Sequence, residues 1–324
     1  MLVTADRVFG GHLYVRNGKI AAISDDGTLP AREELDAAGL YVLPGMLDCH
    51  AHINDPGFTW REDLPHASEA AAVGGVTTLI DMPLQNTPPL TSADAFANKL
   101  AVFEGRSLVD YALWGGLVTD NAAELAGMEA AGAVGFKAFI APVSLGYSSV
   151  DMGLAREALF RIKAFGGLAG FHCEDHALIC AGEAKAKAGG GTRRAFLDSR
   201  PVVAEVIATA NVIELARETG ARVHICHVSH PRVAELVRRA QADGLSVTGE
   251  TCPHYLVFTE ENLLSCGTVF KCAPPLRTAE ARDGLWEYVL DGTLSCIGSD
   301  HSPSRPDEKD EAVHGVMGAW GGLS

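Results

Sequence analysis

The sequence has no run of lysine and arginine, and its 26 basic residues are outnumbered by 41 acidic ones, for a formal net charge of -15. Nucleic acid and anionic membrane surfaces repel such a chain, so neither is expected as a partner. No N-terminal stretch joins a basic end to an apolar run and a cleavage site, and no apolar run is long enough to span a bilayer. The expected location is therefore the cytoplasm. No Gly-x-Gly-x-x-Gly follows the first long strand-like run, which removes the usual nucleotide signature of a doubly wound sheet. Low-complexity tracts and internal repeats are missing too.

What is present is a 324-residue chain, 47% hydrophobic and 21% charged, with ample material for a large core. That length allows one α/β barrel or two medium domains. Eight cysteines fit a reducing compartment. Cys49, Cys173 and Cys226 each adjoin a histidine in a strand-like run. Alternation would turn them away from it, as small packing residues between strand and helix and not as ligands or disulfides.

Residues 1–43 carry short β-like pieces, with Arg16-Asn17-Gly18-Lys19 as a hairpin signal, and are read as a small antiparallel unit. From residue 44 the rhythm changes. Strand-like runs at Gly45–Ile53, Val76–Met82, Asp110–Leu117, Val134–Ile140, Leu168–Glu174, Arg222–Ser229, Ser246–Cys252 and Leu294–Asp300 alternate with helical stretches. Eight strands joined by helical crossovers predict an α/β fold of the (β/α)8 TIM-like barrel type, with an open doubly wound sheet as the competing architecture. Lys185–Gly191 reads as a flexible loop in the connection after the fifth strand.

The first barrel run ends in His50-Ala51-His52. Residues two apart on a strand share a face, so the two imidazoles project together, as a divalent transition metal needs. A pair of ordinary core histidines is the plainer alternative. Lys137 lies in the fourth run, His172 and His227 near the ends of the fifth and sixth, and Asp300 at the end of the eighth. In a barrel these strand ends meet on one face. Taken singly, His172 or His227 reads as a core histidine and Asp300 as a helix cap. Lys137 is different, because an ammonium between Phe136 and Phe139 costs several kcal/mol unless it is paired or neutralised. A neutral lysine can add carbon dioxide to give a carbamate, an anion able to bridge two metals.

The motifs Gly45-Met46-Leu47-Asp48-Cys49-His50-Ala51-His52, Gly135-Phe136-Lys137-Ala138-Phe139, His172-Cys173-Glu174, Cys226-His227-Val228-Ser229, Glu250-Thr251-Cys252-Pro253-His254-Tyr255, Lys271-Cys272-Ala273-Pro274-Pro275-Leu276-Arg277 and Ser299-Asp300-His301-Ser302-Pro303 occur in order along nearly the whole chain. Together they resemble the cyclic amidohydrolase branch of the amidohydrolase superfamily: dihydroorotases, hydantoinases, dihydropyrimidinases and allantoinases. The resemblance implies two divalent metal ions. His50, His52 and Asp300 would hold one, His172 and His227 the other, and carbamylated Lys137 would bridge them. Zinc is favoured by the histidine-rich set, and cobalt, manganese or iron fit it as well. Asp300 would also carry the catalytic proton. Asn54, Cys272 and Ala273 would contact a small cyclic amide or ureide, and the enzyme would be a homo-dimer or tetramer. Residues 1–43 would be the N-terminal part of a β-sandwich, and residues 44–324 a barrel incomplete at its C-terminus.

Within that branch, dihydroorotases place Arg where Asn54 stands and Asn where Leu84 follows Met82-Pro83. Hydantoinases place a Tyr where Pro142 stands; Tyr147 is the nearby candidate for its oxyanion role. The run from Ser299 to Pro303, then Glu308-Lys309, then Ala319-Trp320-Gly321-Gly322 follows the allantoinases most closely. The expected reaction is hydrolysis of allantoin to allantoate, with dihydroorotase and hydantoinase or dihydropyrimidinase activity as alternatives. Arg61 is the one nearby cation able to anchor a carboxylate. A non-catalytic scaffold member is the alternative of another kind; such relatives lose metal ligands, whereas all six ligand positions are filled here.

Overall fold

The computed structural model describes residues 1–143 and 147–323. Contacts divide the chain into Met1–Met46 and Leu47–Ser324. The first unit holds two antiparallel pairs, β1 (Leu2–Val3) with β2 (Val8–Phe9) and β3 (His12–Arg16) with β4 (Lys19–Ser24). The second pair turns at Asn17 and Gly18, whose φ angles of 52° and 72° are those that Asn-Gly supplies to a tight hairpin. Val15, Ile20 and Ile23 are exposed on these strands.

In the second unit the strands are β5 (Met46–Ala51), β6 (Val76–Asp81), β7 (Asp110–Leu113), β8 (Gly115–Gly116), β9 (Phe136–Phe139), β10 (Leu168–His172), β11 (Arg222–Ile225), β12 (Val247–Thr251) and β13 (Cys296–Ile297). They run parallel in the orders β5-β6-β7 and β8-β9-β10-β11-β12-β13. β7 and β8 are one barrel strand interrupted at Trp114. Val134 N–H donates to Leu113 O (3.1 Å) and Gly115 N–H to Gly135 O (2.9 Å), which joins the two groups. At the other seam Asp300 N–H donates to His50 O and His52 N–H to His301 O, both at 2.8 Å, which closes the circle. The eight predicted strands are all present. The structure is the barrel and not the open sheet, because the first and last strands meet.

Strands buried on both faces need apolar residues at successive positions, and β9 is buried throughout. The helices supply the outer layer: α1 (Leu64–Val73), α2 (Ala93–Phe103), α3 (Leu125–Ala130), α4 (Met152–Ala164), α5 (His176–Ala188), α6 (Arg193–Ser199), α7 (Val202–Thr219), α8 (Pro231–Ala242), α9 (Pro253–Val257), α10 (Glu260–Cys266), α11 (Ala279–Leu290) and α12 (Glu311–Gly318). Asp63, Ser92, Asp151, Asp175, Thr192 and Thr278 each cap a helix by accepting a backbone N–H of its first turn. α8 shows the logic of the layer. Val233, Ala234, Val237 and Ala240 are buried, while Arg239 faces out and pairs with Glu235 at 2.7 Å. Each fully buried Leu, Val or Phe of this core contributes about 1.5–3 kcal/mol.

The expected loop at Lys185–Gly191 is corrected: Lys185 to Ala188 form the last turn of α5, and only Gly189–Gly191 break it. Alanine and lysine are strong helix formers, and lysine near a helix C-terminus meets the negative end of its dipole. α6, α9, α10 and α12 are short helices that no long apolar period announces. No helix among the described residues is long and apolar enough to cross a membrane.

Candidate metal and active site

Six side chains from five barrel strands or their ends converge on a cavity of about 200 Å3. His50 lies on β5 and His52 one residue past it, Lys137 on β9, and His172 ends β10. His227 follows β11, and Asp300 follows β13. The Nε2 atoms of His50 and His52 are 3.2 and 3.3 Å from the same Asp300 Oδ1. The rings of His50 and His227 are 5.4 Å apart and those of His172 and His227 4.6 Å. Lys137 Nζ is 3.5 Å from His227 Nε2. All four histidines and the lysine are buried.

The backbone is bent to make this possible. His227, Asp300 and Gln85 have φ angles of 39°, 49° and 67°, a region that costs non-glycine residues energy and persists where surrounding contacts hold it. All three line the cavity. His227 N–H is held by Glu250 Oε1 at 3.2 Å, and Asp300 N–H by His50 O.

Two carboxylates behind the histidines fix their rings. Glu250 accepts from His50 Nδ1, and its Oε2 lies 3.3 Å from His224 Nε2. Glu174 Oε2 is 2.7 Å from His172 Nε2 and is also paired with Arg200 at 2.5 Å. Burial raises the Glu174 carboxyl, but Arg200 and His172 outweigh it and hold the pKa down at about 2. Burial likewise opposes ionisation of Glu250 and Asp300, and the histidines around them override it, so both stay well below the usual carboxylate range. Sequence reasoning quoted Glu174 and Glu250 inside motifs without giving them a task. Glu174 stands two residues after His172, the same spacing that made His50 and His52 conspicuous.

This donor set fits divalent metal. Burial lowers the pKa of His52, His172 and His227, which keeps them neutral and able to donate a lone pair. The donor atoms of His50, His52 and Asp300 lie within 4.8 Å of one another. His52 Nδ1 and His227 Nδ1 are buried with no hydrogen-bond partner among the described residues. At His50 burial lowers the pKa, yet Glu250 and Asp300 raise it to about 10, so the carboxylates draw positive charge to this spot.

The expected substrate contacts divide. Ala273 lines the cavity, while Cys272, its neighbour, is buried outside the lining. Asn54 is fully buried and also outside it. Its carbonyl accepts Phe58 N–H at 2.8 Å in a tight turn, and neither side-chain amide atom has a partner. Tyr147 does not supply an oxyanion donor to the cavity: its hydroxyl donates to the Lys137 carbonyl at 2.6 Å, behind the lysine. Arg61 does not reach in either. It pairs with Glu308 and stacks 4.1 Å from the centre of the Trp320 ring. Gln85, Ser302, Arg200 and Trp320 line the cavity unannounced. Gln85 Nε2 donates to Ser302 Oγ at 3.3 Å, and its buried Oε1 has no partner among the described residues.

Two of the cysteines are also corrected. Cys173 faces Thr209 on α7, between strand and helix. Cys49 turns inward, with Sγ 3.2 Å from Glu250 Oε2, and Cys226 has Sγ within 4.8 Å of His50 and Glu250 donor atoms. Alternation fixes where Cβ points on a regular strand, and the Sγ beyond it turns into whatever space a neighbour leaves. A Cβ on Gly298 would sit 2.8 Å from His50 Cβ and 3.2 Å from Cys49 Sγ, so its missing side chain is the space the thiol fills. The left-handed turn at His227 breaks the period at the end of β11.

Comparison with known proteins agrees with the site. Residues 39–232 match the family described as Dihydro-orotase-like. Allantoinase from Streptomyces avermitilis is 40% identical over 326 aligned residues, covering 100% of this chain and 72% of that protein. Allantoinase from Rubrobacter xylanophilus is 41% identical over 312, covering 96% and 68%. Among solved structures, L-hydantoinase (dihydropyrimidinase) from Arthrobacter aurescens superposes with a TM-score of 0.95 at 37% identity, covering 100% of this chain and 72% of that one. The chain belongs to the dihydro-orotase-like family and is a cyclic amide hydrolase that uses divalent metal.

Proposed function

We propose that the reaction is the ring-opening hydrolysis of allantoin to allantoate. The observation that carries the reading is the neutrality of the cavity beside the metal ligands. The cations that line it are Lys137 and Arg200. Arg200 already serves Glu174 at 2.5 Å and Glu183 at 2.8 Å. A substrate carboxylate would find only the Nε of Arg200, whose charge Glu174 and Glu183 already balance, and would lose several kcal/mol. A neutral ureide instead meets Gln85, whose unpaired Oε1 can accept a ring or ureido N–H. The similarity to several allantoinases supports the same choice. Hydantoin has the same kind of neutral ring and is the second substrate to assay, given the likeness to a hydantoinase.

In this reading His50, His52 and Asp300 hold one ion and His172 and His227 a second, with Lys137, as its carbamate, between them. Zinc suits the donors, and cobalt, manganese or iron could replace it. The ions supply Lewis acidity to a water and to the scissile carbonyl. Asp300 takes the proton that the water loses on attack and returns it to the ring nitrogen as the C–N bond breaks. Ala273 and Trp320 form walls around the ring, and Asn54 and Cys272 stand one layer behind. The free thiols support a cytoplasmic setting, and a homo-dimer or tetramer is the assembly we expect.

The experiment is Lys137→Ala, read by metal analysis and by allantoate release. The variant should lose most bound metal and activity, and short carboxylic acids supplied in solution should restore part of both. Wild-type protein that binds no divalent metal, or a variant as active as wild type, would refute the assignment.

A further inference from the structure

Below the histidines lies a cluster that the hydrolysis does not use. Cys49 Sγ is 3.4 Å from Cys296 Sγ and 3.2 Å from Glu250 Oε2. The two thiols and a carboxylate oxygen of Glu250 all fall within 4.8 Å of one another. We propose that Cys49, Cys296 and Glu250 form an additional metal site, thiolate-based and chemically distinct from the histidine centre, that takes a zinc-class ion.

Two thiols with one carboxylate suit zinc and its softer relatives rather than magnesium or calcium. Around a tetrahedral zinc, with bonds of about 2.3 Å to sulfur and about 2.0–2.2 Å to oxygen, the donor atoms of such a set stand roughly 3.5–3.8 Å apart. The separations of 3.4 and 3.2 Å fall a few tenths of an ångström below that spacing, so a small outward shift of the thiols seats an ion. The supporting shell is also in place. His224 Nε2 is 3.3 Å from Glu250 Oε2, and its Nδ1 is fixed by Thr248 Oγ1 at 2.8 Å, so the imidazole orients the carboxylate. Oε1 of Glu250 is the atom that faces His50 Nδ1. An ion on Oε2 therefore leaves that contact standing. Both cysteines are half-buried, which gives an ion a path in. Binding displaces the two thiol protons and leaves one coordination position for water. Gly298 completes the arrangement, since any side chain there would press on Cys49 Sγ and on Glu250 Oε2, each 3.2 Å from its Cβ position.

The test uses holoenzyme in which cobalt replaces the native ions. A near-ultraviolet thiolate-to-cobalt charge-transfer band reports sulfur coordination, and its loss on substitution of Cys49 or Cys296 separates this site from Cys226 and Cys252, which also lie near the histidine centre. Wild-type protein should show the band, and Cys49→Ser and Cys296→Ser should each abolish it and bind one metal equivalent fewer per chain. If the variants do not fold, wild-type protein is alkylated with and without zinc and the modified peptides are identified by mass. Zinc should protect Cys49 and Cys296 while the exposed Cys180 and Cys266 react as before. No band in wild type, a band that survives both substitutions, or no protection of the two thiols would overturn the proposal.

Discussion

Glu250 Oε1 is hydrogen-bonded to His50 Nδ1 in the interior of the barrel, one strand end away from Asp300, which faces the other nitrogen of the same ring. The imidazole is thereby clamped between a carboxylate that sets its tautomer and a second carboxylate that faces its Nε2 at 3.2 Å. Both carboxylates are kept ionised by the histidines they serve.

Glu250→Gln removes the charge that orients His50 and keeps a side chain of the same shape. Outer carboxylates of this kind are worth about 10–100-fold in metal affinity. The dissociation constant of the metal, measured by competition with a chelator on folded protein, should rise by that factor. An unchanged constant would show that His50 is positioned without Glu250.

Legibility in the sequence followed chemistry that has a fixed period. The strand pattern, the hairpin at Asn17-Gly18 and the six convergent polar residues each follow from spacing or from the cost of burying a charge. Gln85 and Arg200 did not, because nothing in a single sequence tells where a loop side chain points. Arg61 was a reasonable cation for the cavity until the structure paired it with Glu308, a residue 247 positions away. Cys49 was misplaced for a local reason: Gly298 beside it has no side chain, so the thiol has room to reach Glu250.

A buried ion pair supports the segment that carries His52. Lys99 and Asp81 are both fully buried and bonded to each other, and Asp81 Oδ1 accepts Ile53 N–H at 2.6 Å, next to His52. Burial raises the Asp81 pKa to about 6 against the opposing pull of Lys99, and burial lowers that of Lys99. Asp81→Asn leaves the ammonium uncompensated and should cost about 3–5 kcal/mol in urea unfolding. Adding Lys99→Met should recover much of the loss. A single substitution within 1 kcal/mol of wild type, roughly the worth of an exposed pair, would contradict this account.

Acid sensitivity is expected at His230, which caps α8 by accepting Arg232 N–H on Nδ1 at 3.1 Å. Burial, then Arg277 and Arg232, lower its pKa from 6.5 to about 4. The unfolded chain therefore binds this proton first as pH falls. The stabilisation is complete above about 6.5 and is lost between there and about 4. His230→Asn keeps a capping acceptor without the titration. Its unfolding free energy should fall less than that of wild type between pH 7 and pH 4.5. Equal losses in the two proteins would place the acid sensitivity elsewhere.

The most direct test of the central claim compares kcat/KM for allantoin and for dihydroorotate on one metal-loaded preparation. The cavity offers a substrate Gln85 and Ser302, and its one arginine is already paired twice. One unmatched carboxylate costs about 3 kcal/mol, so allantoin should be favoured by at least about a hundredfold. Comparable values, or a preference for dihydroorotate, would contradict the account.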